Sequence, residues 1–254
     1  MANENLNIFN RTGTVADQAS FDVGLRAHMV RVYNYMASGL ALSGIVAFAV
    51  ANFPAVHALF FQMAVTRGGA PIPVGMTGLG WIAMLAPLGL LLLVSFRAAR
   101  MSVTSVQAVY WAVTALMGVS LSVLLMRYTD ASVARTFFVT AASFGALSLY
   151  GYTTKRDLTA MGKFLFMGLV GLILASLVNM FFPSGTMSFI ISAAGVLIFS
   201  GLIAYDTQKI KEQYADAWGS DALEKVAVFG ALSLYLDFVN LFQFLMSFLG
   251  QERD

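Results

Sequence analysis

Seven stretches of roughly twenty mostly apolar residues constrain this chain more than any other feature, because a bilayer takes about 20 such residues of α-helix to cross. They lie near 31–52, 79–98, 103–126, 133–153, 162–182, 187–209 and 224–249. The sequence is 59% hydrophobic and only 11% charged, where a soluble domain carries about a quarter charged residues. The fold class that follows is an all-α membrane protein with seven transmembrane helices. Residues 1–25 read as a polar N-terminal tail and 26–254 as one seven-helix domain. The longest connection, about 53–78, is rich in Gly and Pro (Arg67-Gly-Gly-Ala-Pro-Ile-Pro).

Several functions are excluded or disfavoured. There is no cysteine, which removes disulfides, zinc–thiolate sites and thiol catalysis. The two histidines, His28 and His57, are far apart in what read as polar flanks, so a histidine metal site is not expected. A net charge of +2, spread along the chain, does not suit nucleic acid. No Ser–His–Asp set, HExxH or nucleotide-binding loop appears, so neither an enzyme nor a bound cofactor is expected. The first residues contain Glu4, Asp17 and Asp22 and do not resemble a cleavable signal peptide. The first helix is expected to act as its own insertion signal.

Lys and Arg set the orientation. One set of flanks holds Arg11, Arg26, Arg31, Arg97, Arg100, Lys155, Arg156, Lys163, Lys209, Lys211 and Lys225, and the opposite set holds Arg67, Arg127, Arg135 and Arg253. This bias predicts a cytoplasmic N-terminus. Seven spans then place Gln251–Asp254 outside. The last helix carries Asp237 in its middle. If that segment is re-entrant there are six spans, and the C-terminus is cytoplasmic.

An ionisable group inside a membrane is costly and is a functional candidate by default. Asp206 and Asp237 qualify. Asp206 also has a structural explanation, as a boundary residue paired near Lys209 and Lys211. On the last helix Ser233, Asp237, Asn240, Gln243 and Ser247 are spaced by four, three, three and four, which places them on one face. Such a stripe must face protein or water. It reads as hydrogen-bonding glue for Asn240 and Ser247 alone, and as a pathway once Asp237 is included. Arg97 and Arg100 serve as anchors, although Arg97 could turn inward toward a carboxylate. Gly168, Gly171, Ser188, Ser192 and Gly195 predict close helix contacts. Phe144-Gly-Ala-Leu-Ser-Leu-Tyr150 recurs at Phe229–Tyr235, which reads as coincidence or local packing.

Tyr205-Asp-Thr-Gln-Lys-Ile210 and Ala231-Leu-Ser-Leu-Tyr-Leu-Asp-Phe-Val-Asn-Leu-Phe242 resemble the signature segments of the Bax inhibitor (transmembrane Bax inhibitor motif) family, in a bacterial form. The resemblance covers the whole chain. It implies six helices around a central seventh, and a pH-sensitive calcium leak. In that picture two aspartates, matching Asp206 and Asp237, form a hydrogen-bonded pair that closes the pore. A basic residue ending the second helix, matched by Arg97 or Arg100, engages the seventh-helix aspartate. A carboxylate found in some members has no counterpart here, where Ala86 and Pro87 stand in that neighbourhood. Other bacterial relatives are described as modulators of a membrane-bound AAA protease.

The physics of the pair is coherent without the family. Two close carboxylates away from bulk water do not easily both ionise, and they titrate as a unit. Asp206 and Asp237 are also the candidates for transient calcium contact, since calcium seeks several oxygen ligands. The functional expectation is a pH-sensitive calcium or cation leak with Asp206, Asp237, Arg97, Asn240 and Ser233 at its gate and pathway. The expected partners are the lipid bilayer, calcium ions or protons, and in the alternative reading the protease.

Overall fold

The computed structural model describes residues 2–65, 71–214 and 219–253. The elements are α1 (Ala2–Asn52), α2 (Pro54–Phe60), β1 (Phe61–Val65), β2 (Pro71–Met76), α3 (Gly78–Arg97), α4 (Val103–Arg127), α5 (Asp130–Thr153), α6 (Thr159–Phe181), α7 (Gly185–Glu212) and α8 (Ser220–Leu249). Among the described residues, seven helices are long and apolar enough to cross a membrane: α1 from Phe21 onward, and α3 through α8. The side chains of the tail before Phe21 lie outside the described residues. α8 runs unbroken through Asp237 for 30 residues, about 45 Å, which is long enough to cross outright. The seven-span reading stands, and the re-entrant alternative does not.

Alternating helices create two faces. The basic face gathers the entry of α1 and the α3–α4, α5–α6 and α7–α8 connections. The hairpin face gathers α2, the β-hairpin, the α4–α5 and α6–α7 turns and the C-terminus. There, Thr129 N donates to Gln251 O at 2.8 Å and Arg253 N donates to Arg127 O at 2.9 Å. Arg127 pairs with Glu252, and Arg253 with Asp130. The ends of α4 and α8 therefore share a face, as an odd number of spans requires.

α8 is the central helix. Buried residues make up 56% of its apolar window, against 6% for α6. α1, α4, α5 and α7 pack directly on it, with α3 behind α4 and α6 behind α7. Leu234, Tyr235, Val239, Leu241 and Met246 are almost wholly buried. Lipid gives helices no hydrophobic reason to associate, so close packing and interhelical hydrogen bonds must hold them. Gly195 admits the Phe244 ring of α8 against α7, and a Cβ there would collide with it. Gly168 approaches Ile198 less closely, a Cβ there sitting 3.2 Å from its Cδ1, and Gly171 faces open space and makes none of the contact read for it.

Two sequence expectations change. The 53–78 connection contains a short helix and a two-stranded antiparallel hairpin. Pro71 and Pro73 obscured the second strand. They pair with Val65 and Met63, two residues apart, in a sheet whose strands are both edges and so tolerate missing N–H donors. The histidines do not lie in polar flanks, because both are buried. His28 packs on the Tyr214 ring. His57 stacks on Phe61 at 4.8 Å, with Nδ1 3.1 Å from Val50 O.

Candidate functional site

α7 and α8 are antiparallel neighbours, and their contact brings two carboxyl groups together. The side chains of Asp206 and Asp237 are hydrogen-bonded to each other. Asp206 is half-buried and Asp237 is 5% exposed. Apart from the Asp206 carboxyl, no group among the described residues donates to the buried Asp237 Oδ2. Neither Lys209 nor Lys211 takes Asp206 as an ion-pair partner. Lys209 Nζ lies over the Tyr205 ring at 5.9 Å, and Lys211 Nζ donates to Tyr152 O at 2.8 Å. Lys209 still acts on Asp206 through its charge, but the bond that Asp206 makes is to Asp237.

Depth follows from the helix register. Asp206 lies six residues before the end of α7 at Glu212, about 9 Å along the axis. Asp237 lies seventeen residues into α8, about 25 Å. The two are level because α8 begins beyond the end of α7, with Gly230 beside Ile210. Toward the hairpin face the α7–α8 interface is closed by aromatic packing. Phe199 and Phe244, each seven residues from its aspartate, stack with centroids 5.8 Å apart.

Other polar groups tie α8 and its neighbours around the pair. Tyr235 OH lies 2.6 Å from Ser43 Oγ, which also donates to Thr114 O at 2.6 Å, linking α8, α1 and α4. Tyr33 OH, Ser148 Oγ and Thr207 Oγ1 form a chain with steps of 2.7 and 3.0 Å, linking α1, α5 and α7 next to Asp206. A cavity of about 530 Å³ toward the basic face is lined by Arg26, Tyr33, Ser148 and Tyr152. At the start of α8, Glu224 accepts from Arg31 at 2.9 Å, Tyr35 at 2.6 Å and Gln107 at 3.1 Å. Apart from Arg26 and Arg31, read as orienting flanks, the sequence assigned none of these groups a role, since single hydroxyls in apolar helices carry no periodic signal. Tyr235 could have been found through its place two residues before Asp237.

The remaining candidates are placed as follows. Asn240 Nδ2 donates to Leu236 O at 2.8 Å and Ser247 Oγ to Phe244 O at 2.6 Å, both within their own helix. Among the described residues, neither side chain donates to another helix. Ser233 and Gln243 are half-buried. Arg97 ends α3, exposed, beside Arg100 and Ser105. α3 packs behind α4, so the structure does not bring Arg97 to Asp237. Among the described residues, no cluster of three or more His, Cys, Asp or Glu side chains could hold a metal ion.

This arrangement can be set beside known proteins. Residues 25–254 match the family model described as inhibitor of apoptosis-promoting Bax1. The chain belongs to the Bax inhibitor family. An uncharacterized protein of Rickettsia prowazekii is 46% identical over 241 residues, covering 95% of this chain and 96% of the relative. The inner membrane protein YbhL of Escherichia coli is 41% identical over 232 residues, covering 91% and 94%. An uncharacterized membrane protein of Streptococcus pyogenes is 36% identical over 235 residues, covering 91% and 95%. This Bax inhibitor family member is thus an integral membrane protein whose two signature segments meet at Asp206 and Asp237.

Proposed function

We propose that this family member is a non-enzymatic, proton-controlled cation leak with calcium as its cargo, gated by the Asp206–Asp237 pair. The observation that carries the reading is the contact of two carboxyl groups at the interface of two membrane helices, where no other group among the described residues donates to the buried Asp237 Oδ2. A hydrogen bond between two carboxyl groups needs a proton, and with it in place α7 is tied to α8. Without it, two like charges about 4 Å apart at an effective dielectric near 20 repel by roughly 4 kcal/mol. At about 1.4 kcal/mol per tenfold, that biases a two-state helix pair by about a thousandfold. The same separation would unstack Phe199 from Phe244 and open the apolar closure.

The freed carboxylates, with the Asn240 and Ser233 side chains and backbone carbonyls, would supply oxygens to a passing cation. Two carboxylates fall short of calcium's six to eight ligands, which fits passage better than residence. Arg97 would compete for the ionised pair once α3 bends at Pro87, where its interior proline weakens the helix. The basic face would be cytoplasmic by the positive-inside rule, in a bacterial inner membrane.

Calcium flux into liposomes across pH tests the reading. Asp206→Asn and Asp237→Asn are each expected to change the flux and to flatten its pH response. Unchanged flux and pH response in both variants would overturn the leak. The remaining reading would be modulation of a membrane-bound AAA protease through the tail or exposed loops.

A further inference from the structure

A groove of about 440 Å³ runs along the seam between α1 and α5, in the half of the span nearer the hairpin face. Leu40 and Gly44 of α1 and Val133 and Phe137 of α5 line it, over a floor of Phe238 and Val239 from α8. α1 and α5 barely touch, and α4, which adds Leu121, Leu124 and Leu125 to the wall, makes little contact with α5, so among the described residues no helix packs across the mouth of the seam. Phe48 and Phe138 at the mouth are 57% and 70% exposed, while Phe238 and Val239 at the floor are 4% and 1%. The groove therefore opens sideways from the core of the bundle to the surrounding bilayer.

We infer that this groove binds one acyl chain of a phospholipid from the leaflet on the hairpin face. Its depth is the first argument, since every lining residue except Asp130, at the exposed start of α5, lies inside a membrane span, where the medium is hydrocarbon. Its chemistry is the second. The polar group at its back, Ser43 Oγ, is already engaged by Tyr235, Thr114 and Gly39. An apolar cavity of this kind stays dry, so neither water nor a polar solute is favoured there. Its end is the third. The groove reaches Asp130, beside the exposed Arg253–Asp130 and Arg127–Glu252 pairs. Each guanidinium uses Nε and Nη2, leaving Nη1 without a partner among the described residues. Guanidinium groups suit phosphate oxygens, and the two carboxylates suit the ammonium of a zwitterionic head group. Tail and head thus both have a place, about one leaflet deep.

The bound chain lies against Phe238, the residue after Asp237. Phe238 in turn packs on Phe137 at 5.6 Å and Phe144 at 5.7 Å. Occupancy fills the gap between α1, α4 and α5 over this part of α8. The inference does not depend on what the aspartate pair does.

The test uses the full chain in phosphatidylethanolamine–phosphatidylglycerol vesicles. A small fraction of the phosphatidylethanolamine carries a diazirine midway along one acyl chain. After irradiation, labelled residues are mapped by peptide mass spectrometry. Label is expected on Phe238 or Val239, which are too buried for lipid merely surrounding the bundle to reach. Gly44→Leu projects into open space and is expected to remove the floor label several-fold. Label on the freely exposed Phe166 and Leu174 of α6 should stay unchanged. Ala134→Leu, on the facing α5 wall, serves if the first variant does not fold. No label on the floor of the wild-type protein, or full floor label in a folded filled variant, would overturn the site. Equal floor labelling by a diazirine fatty acid would overturn the phospholipid assignment.

Discussion

A carboxyl group 5% exposed among Leu, Phe and Val side chains is tolerable only with a partner, because an unsatisfied buried polar group costs about 1–3 kcal/mol. Asp206 is that partner. Asp206→Ala is therefore expected to destabilise the protein by about 1–3 kcal/mol, with a smaller loss for Asp206→Asn, whose amide still donates. Thermal or denaturant unfolding in detergent would register the difference. Phe244→Ala removes the stack that closes the α7–α8 interface on the hairpin side. It is expected to raise basal cation flux at every pH while the pH response persists. A basal flux equal to wild type would show that the stack is not the closure. At this scale the sequence disclosed the aspartates because charge in an apolar run is conspicuous. It did not disclose where Asn240 and Ser247 spend their hydrogen bonds. A helix-wheel argument gives their face, but their donors turn to carbonyls one turn back.

Helix contacts in this bundle are graded by how near the backbones come. A methyl group at Gly151 would collide with the Ala204 backbone of α7, while one at Gly171 meets nothing. Gly151→Ala is expected to cost roughly 1–3 kcal/mol through overpacking. Gly171→Ala should instead stabilise by up to about 1 kcal/mol through helix propensity. Unfolding midpoints of the two variants should move in opposite directions. Sequence alone rates these glycines alike, because spacing does not say which face a neighbour occupies. The repeated heptapeptide makes the same point. Gly145 faces open space in α5, whereas its counterpart Gly230 meets Ile210 in α8, so identical letters sit in different surroundings. The β-hairpin stayed hidden for a different reason, its prolines being compatible with a strand only where an edge is free.

Seven spans and a central last helix were readable from hydropathy and the family signature, since the bilayer sets span length directly. The arrangement of helices was not readable, because lipid-facing and buried apolar residues look the same in a chain of this composition. Two faces and an odd span count make a topological expectation. The chain has no cysteine, so single introduced thiols report cleanly. Lys155→Cys on the basic face is expected to be shielded from an impermeant maleimide in intact inner-membrane spheroplasts. Asp130→Cys on the hairpin face is expected to be labelled. The reverse pattern would invert the proposed orientation and leave the fold intact. The central claim is that one proton is shared between α7 and α8 at Asp206 and Asp237. Infrared spectroscopy of the reconstituted protein, following the C=O band of a protonated carboxyl across pH, measures it most directly. The expected result is a titrating band that shifts or disappears in either Asp206→Asn or Asp237→Asn alone. A band indifferent to both substitutions, or two bands each lost with only one of them, would contradict it.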